Sequence, residues 1–122
     1  MVKIFGRPFL LLLMALTALT PAVAMAHAII IKSAPSVDAT VTGVSVPIAL
    51  RFNSRIDQER SRVTLYGPDG KSATLPLAPS TSPDLLTGTA SGLAPGDYRL
   101  HWQVLSVDGH ITRGDIPFKV SE

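Results

Sequence analysis

Three observations predict an all-β fold. Apolar and polar residues alternate in several short runs, which is the period of a half-buried strand. Ten prolines and nine glycines punctuate those runs. No stretch sustains the three-to-four-residue apolar spacing of an amphipathic helix. About seven strands in a chain of this length point to a small two-sheet Greek-key sandwich or barrel.

The elements follow in order. Ile48, Leu50 and Phe52 alternate with Ala49 and Arg51 and read as a strand. Asp57 to Arg62 has room for one helical turn but carries no sustained helical pattern. Val63-Thr64-Leu65-Tyr66, the turn Gly67-Pro68-Asp69-Gly70 and Ala73-Thr74-Leu75 read as a hairpin. Pro76 to Pro83, rich in proline, serine and threonine, reads as a mobile loop. Leu86 to Ala90 gives a short strand, and Pro95-Gly96-Asp97 a turn. Tyr98, Leu100, Trp102 and Val104 then share one face, with Arg99, His101 and Gln103 on the other. Ile116, Phe118 and Val120 form a final alternating strand. The core is expected on Phe52, Leu65, Leu100, Trp102 and Phe118. There is no internal repeat and no interdomain linker.

Residues 1–26 have the three parts of a secretory signal. Lys3 and Arg7 give a positive start, Phe9 to Leu19 is apolar apart from Thr17, and Ala24-Met25-Ala26 is a small-x-small cleavage site. Cleavage after Ala26 makes His27 the first residue of a mature domain spanning 27–122. The apolar run falls short of the ~20 residues of a spanning helix, and no cysteine near it offers a lipid anchor. The expected product is exported, not membrane-spanning, and most simply periplasmic. Beyond residue 26 nine basic residues face nine acidic ones, so the mature charge is zero. No basic stripe with interleaved aromatics suggests a nucleic-acid partner.

The chain has no cysteine, and Met1, Met14 and Met25 all precede His27. The mature part therefore holds no soft sulfur ligand of the kind that selects Cu(I), and a blue-copper site is excluded. An N-terminal histidine offers its α-amine and Nδ1 to one ion as a chelate. Asp108-Gly109-His110 can turn a carboxylate and an imidazole toward one point, glycine supplying the backbone freedom. Taken alone, that tripeptide is more often a polar hairpin turn. Combined with His27 it completes three nitrogens and one oxygen, a tetragonal set that suits Cu(II). His101 alternates with the apolar face of its strand and reads as solvent-facing rather than as a ligand.

The mature chain resembles the CopC family of periplasmic copper-binding proteins. The likeness runs through His27-Ala28, Ser33-Ala34-Pro35, Pro47-x-x-Leu50-x-Phe52, Leu93-Ala94-Pro95-Gly96-Asp97-Tyr98 and Trp102. It ends on Ser106-Val107-Asp108-Gly109-His110, Gly114, Phe118 and Val120. The resemblance implies a cupredoxin-like or immunoglobulin-like β-domain that binds one Cu(II) per mature chain. The implied ligands are His27, through amine and ring, with Asp108 and His110. It implies sequestration, resistance or delivery of copper rather than catalysis. The implied partner is a CopD-like inner-membrane copper transporter or another periplasmic carrier. Some members add a methionine-rich Cu(I) site, for which the mature chain has no residues, so a Cu(II)-only version is implied.

Two other readings stand beside it. A copper oxidase or monooxygenase can also use an N-terminal histidine chelate, although Asp108 would block the open position and no aromatic substrate platform is evident. An exported β-sandwich interaction module would need no metal at all.

Overall fold

The computed structural model describes residues 27–122; residues 1–26, read above as a secretory signal, lie outside the described residues. Nine strands form: β1 Ile30–Ala34, β2 Ala39–Thr42, β3 Ser45–Phe52, β4 Ile56–Tyr66, β5 Ser72–Thr74, β6 Leu77–Ala78, β7 Leu85–Ser91, β8 Gly96–Ser106 and β9 Ile111–Ser121. They make a four-stranded sheet in the order β1-β3-β7-β6 and a five-stranded sheet in the order β2-β9-β8-β4-β5. The all-β sandwich expected from the alternation is what forms. No helix of the described residues is long and apolar enough to cross a membrane.

The core lies where period-2 patterning puts it. Val46, Ile48, Leu50 and Phe52 of β3 face Leu100, Trp102 and Val104 of β8 together with Ile116, Phe118 and Val120 of β9, all buried. Burying side chains of this size stabilises by roughly 1.5–3 kcal/mol each. The Phe52 ring meets Trp102 edge-on at 5.3 Å between centroids, a favoured aromatic geometry. Leu65 departs from expectation. It is only partly buried and packs against the edge of the core, because β5, its partner on the outer edge, is short and exposed.

Nine strands replace the expected seven. β1 and β2 lack a clean alternation, so neither announces itself in sequence. β2 pairs parallel with β9, Ala39 opposite Phe118, a tertiary contact that no local pattern encodes. The turn of helix considered for Asp57 to Arg62 is instead part of β4. The pairing of β4 with β8 slips between Asp57 and Arg62. Local bonds span that bulge, Arg60 N donating to Asp57 Oδ1 at 3.2 Å and Ser61 Oγ to the Asp57 carbonyl at 2.6 Å. These short-range contacts of a polar run resemble a helical turn in sequence. Ser61 Oγ also accepts from Leu105 N at 3.3 Å and fills the gap in the ladder.

Pro76 to Pro83 is not the unanchored loop its composition suggests. It contains β6, and Gln58 Nε2 donates to the carbonyls of Ser82 and Leu85 at 2.8 and 3.2 Å. At its end Arg51 Nη1 reaches both Asp84 oxygens at 3.1 Å. Ser82 and, after it, Arg51 hold the Asp84 carboxyl below its usual range.

Candidate metal centre

β8 and β9 run as one long antiparallel hairpin, from Gly96 opposite Val120 to Leu105 opposite Ile111. At the closed end the chain must reverse within four residues, Val107 to His110. Gly109 takes φ of +91°, which costs glycine least. Gly109 N donates to the Ser106 carbonyl, and Ser106 N to the His110 carbonyl, both at 2.9 Å. The turn that carries Asp108 and His110 is therefore held by its own backbone.

Ser106, part of the motif that carries the resemblance, has a role that the sequence does not announce. It ends β8 facing inward and is buried. Its hydroxyl donates to Asp108 Oδ1 and lies 3.0 Å from the His110 carbonyl. On the other side, Asp108 Oδ2 stands 3.1 Å from His110 Nδ1. The Ser106 hydroxyl first, and then the His110 ring, hold the Asp108 carboxyl at about 2 against an ordinary 3.8. Asp108 is therefore ionised throughout the neutral and mildly acidic range. The sign follows. Whatever stability this network contributes is present above the ordinary carboxyl value and is lost as pH falls through about 2.

His27 arrives from the opposite sheet. Ala28, immediately after it, is buried in the core cluster. Thr112 Oγ1 donates to the Ala28 carbonyl at 2.9 Å. Ile29 N donates to Asn53 Oδ1 at 2.8 Å, and Asn53 N donates back to the Ile29 carbonyl at 2.9 Å. These contacts set the His27 ring 5.3 Å from the His110 ring, centroid to centroid, tilted by 60°. His27 Nδ1 is buried and has no hydrogen-bond partner among the described residues. A polar atom in that state costs free energy until something pairs with it.

The three residues singled out in sequence thus meet at one rim of the sandwich, pair by pair. Among the described residues no group of three or more histidine, cysteine, aspartate or glutamate side chains is set ready to hold a metal ion. The pairs are near but not focused, because Asp108 spends one oxygen on Ser106 and the other on His110. His101 stands elsewhere, on the outer face of β8. Its Nδ1 is 2.9 Å from Asp115 Oδ1, which also takes Arg99 Nη1 at 2.6 Å. His101, and after it Arg99, holds the Asp115 carboxyl below its usual range. That histidine is engaged by Asp115 on the outer face, where its alternation in the strand places it. A surface concavity of about 630 Å³ between Leu65, Pro68, Lys71 and Tyr98 includes none of His27, Asp108 and His110.

Two packed sheets with two imidazoles and a carboxylate gathered at one hairpin rim define the class as a small β-sandwich. The CopC domain model matches residues 30–121, and the chain belongs to the CopC family. Protein YobA of Escherichia coli K12 is 32% identical over 115 residues, which is 92% of each chain. CopC of Methylosinus trichosporium OB3b is 28% identical with a TM-score of 0.70, over 78% of this chain and 94% of that one. PcoC of Escherichia coli, described as a methionine-rich copper resistance protein, is 25% identical with a TM-score of 0.63, over 79% of this chain and 100% of that one. The matched span includes Asp108 and His110 and begins just after His27.

Proposed function

We propose that the mature chain is a periplasmic Cu(II)-binding protein that sequesters copper or passes it to a membrane importer or another carrier. The donors are the His27 amine and Nδ1, an Asp108 oxygen and a His110 ring nitrogen. The observation that carries this reading is the buried, unpartnered Nδ1 of His27 on a ring packed against His110. A metal ion would satisfy that atom, and the donor set of nitrogen and carboxylate oxygen suits Cu(II). Family membership supports copper as the cargo. The absence of sulfur donors beyond residue 26 favours Cu(II) over Cu(I).

Cleavage is part of the chemistry. Within the uncut chain the His27 nitrogen is an amide with no lone pair to give. After cleavage it is an amine and closes a chelate ring with Nδ1. Ser106 serves this arrangement by holding the Asp108 carboxylate in place through its hydroxyl, and that carboxylate would offset part of the ion's charge. Four protein donors would leave a bound Cu(II) ion little room for a substrate, which favours carriage over catalysis.

The test is a Cu(II) titration of protein that begins at His27, followed by electron paramagnetic resonance. One ion per chain with a tetragonal, nitrogen-rich spectrum is expected. A spectrum without nitrogen coupling would sink the assignment. Copper should also leave as the solution is acidified from about pH 7 to 5, since protons compete for nitrogen donors. Asp108 stays ionised across that window, so an affinity that does not change between about pH 7 and 5 would count against the nitrogen donors.

A further inference from the structure

We infer that Asn53 and Thr112 are positioning residues that order the His27 arm before any metal arrives. The inference rests on the Cu(II) reading above and adds to it the means by which a chain terminus becomes a pre-formed ligand. Free termini are ordinarily loose, and a ligand on a loose end must be ordered by the ion at a cost in affinity. Here only Ala28 and Ile29 separate His27 from β1, and both are fixed. Thr112 Oγ1 holds the Ala28 carbonyl at 2.9 Å. Asn53 takes Ile29 from both sides, accepting from its N–H at 2.8 Å and donating to its carbonyl at 2.9 Å.

The two residues do different jobs. Asn53 follows β3 directly and extends the β1–β3 pairing past Ile30 opposite Phe52, so it aligns the arm with the four-stranded sheet. Thr112 belongs to the other sheet, two positions after His110. Its bond to Ala28 ties the arm to the strand that carries His110 at its head. One hydroxyl thereby makes His27 and His110 parts of a single body across the gap between sheets. Because Ala28 is buried, removing that hydroxyl leaves its carbonyl with no alternative donor from solvent, and the arm must shift to find one.

Thr112→Val keeps the branched shape and deletes the hydroxyl. In protein beginning at His27, Cu(II) affinity is expected to fall by about 10–100-fold, the usual effect of removing a group that orients a ligand. The paramagnetic resonance hyperfine pattern should change with it. Thr112→Ser should restore both, and Asn53→Ala should reproduce the loss. In the metal-free protein, amide exchange at Ile29 should quicken in Thr112→Val and Asn53→Ala. Wild-type affinity and spectrum in both variants would overturn the inference. So would failure of serine to rescue in a protein that folds normally. If Thr112→Val does not fold, Asn53→Ala decides on the same readouts. Should the unaltered protein bind no Cu(II), the functional reading falls by itself. Exchange at Ile29 then still decides whether the clamp exists, and unchanged rates would remove it.

Discussion

Retaining Ala26 ahead of His27 is expected to lower Cu(II) affinity by more than about 100-fold. Removing a group that merely orients a ligand costs about 10–100-fold, and this change removes a donor outright. The extra residue turns the His27 amine into an amide and opens the chelate ring, yet it alters no side chain. The rim would otherwise be unchanged: Ala28 still enters the core, Asn53 still holds Ile29, and the two histidine rings still meet at 5.3 Å. His27→Ala is the complementary change, since it leaves the amine and deletes the ring. Both variants should bind weakly, for opposite reasons, and their residual spectra should differ in nitrogen count. A competition titration against a chelator of known affinity measures the effect. Equal affinity of the extended and the correctly begun protein would remove the amine from the donor set. Secretory processing would then have no part in binding.

Much of this was legible in the sequence, for identifiable reasons. The inward faces of β3, β8 and β9 are strict alternations, and burial follows them at Phe52, Leu100, Trp102 and Phe118. The turn of Asp108-Gly109-His110 is a local event, so its residues name it. What stayed hidden depends on contacts between distant segments. β2 is a strand because β9 lies beside it. The bulge at Asp57 to Arg62 is extended because β8 passes alongside, and its internal hydrogen bonds by themselves suggest a turn. Ser106 reads as an ordinary strand-end serine until its hydroxyl is seen against Asp108. Asn53 and Thr112 carry no signal, since each acts on a backbone group more than twenty positions away. Candidate ligands could be nominated from residue chemistry. The contacts around them could not, because those are defined by geometry alone.

The second large effect concerns the core beneath the rim. Trp102→Ala is expected to destabilise the fold by about 3–5 kcal/mol, the usual cost of removing a buried aromatic ring. Small domains have only about 5–15 kcal/mol in total, so a melting temperature lower by more than about 10 °C should be seen by calorimetry. The surroundings of Trp102 allow a sharper check. Gly114 stands directly opposite it on β9, and the indole lies flat over the space where a side chain would begin. A Cβ at 114 would come within 2.6 Å of Trp102 Cε2 and 2.8 Å of Nε1, distances that force the ring or the strand to move. Gly114→Ala should therefore cost about 1–3 kcal/mol by overpacking. Ring and glycine act as one unit, so the penalties should not add. In a Trp102→Leu background, where the indole no longer covers position 114, the same Gly114→Ala change should be nearly neutral, a coupling of the size seen between residues in contact. Additive losses would mean that the indole is not what excludes a side chain there. Since β9 carries Gly114 and Thr112 on the same inward face, displacement of the ring should also reach the Ala28 clamp. Gly114→Ala protein that remains folded is then expected to show faster amide exchange at Ile29 than the unaltered protein, linking the packing of the core to the ordering of the His27 arm.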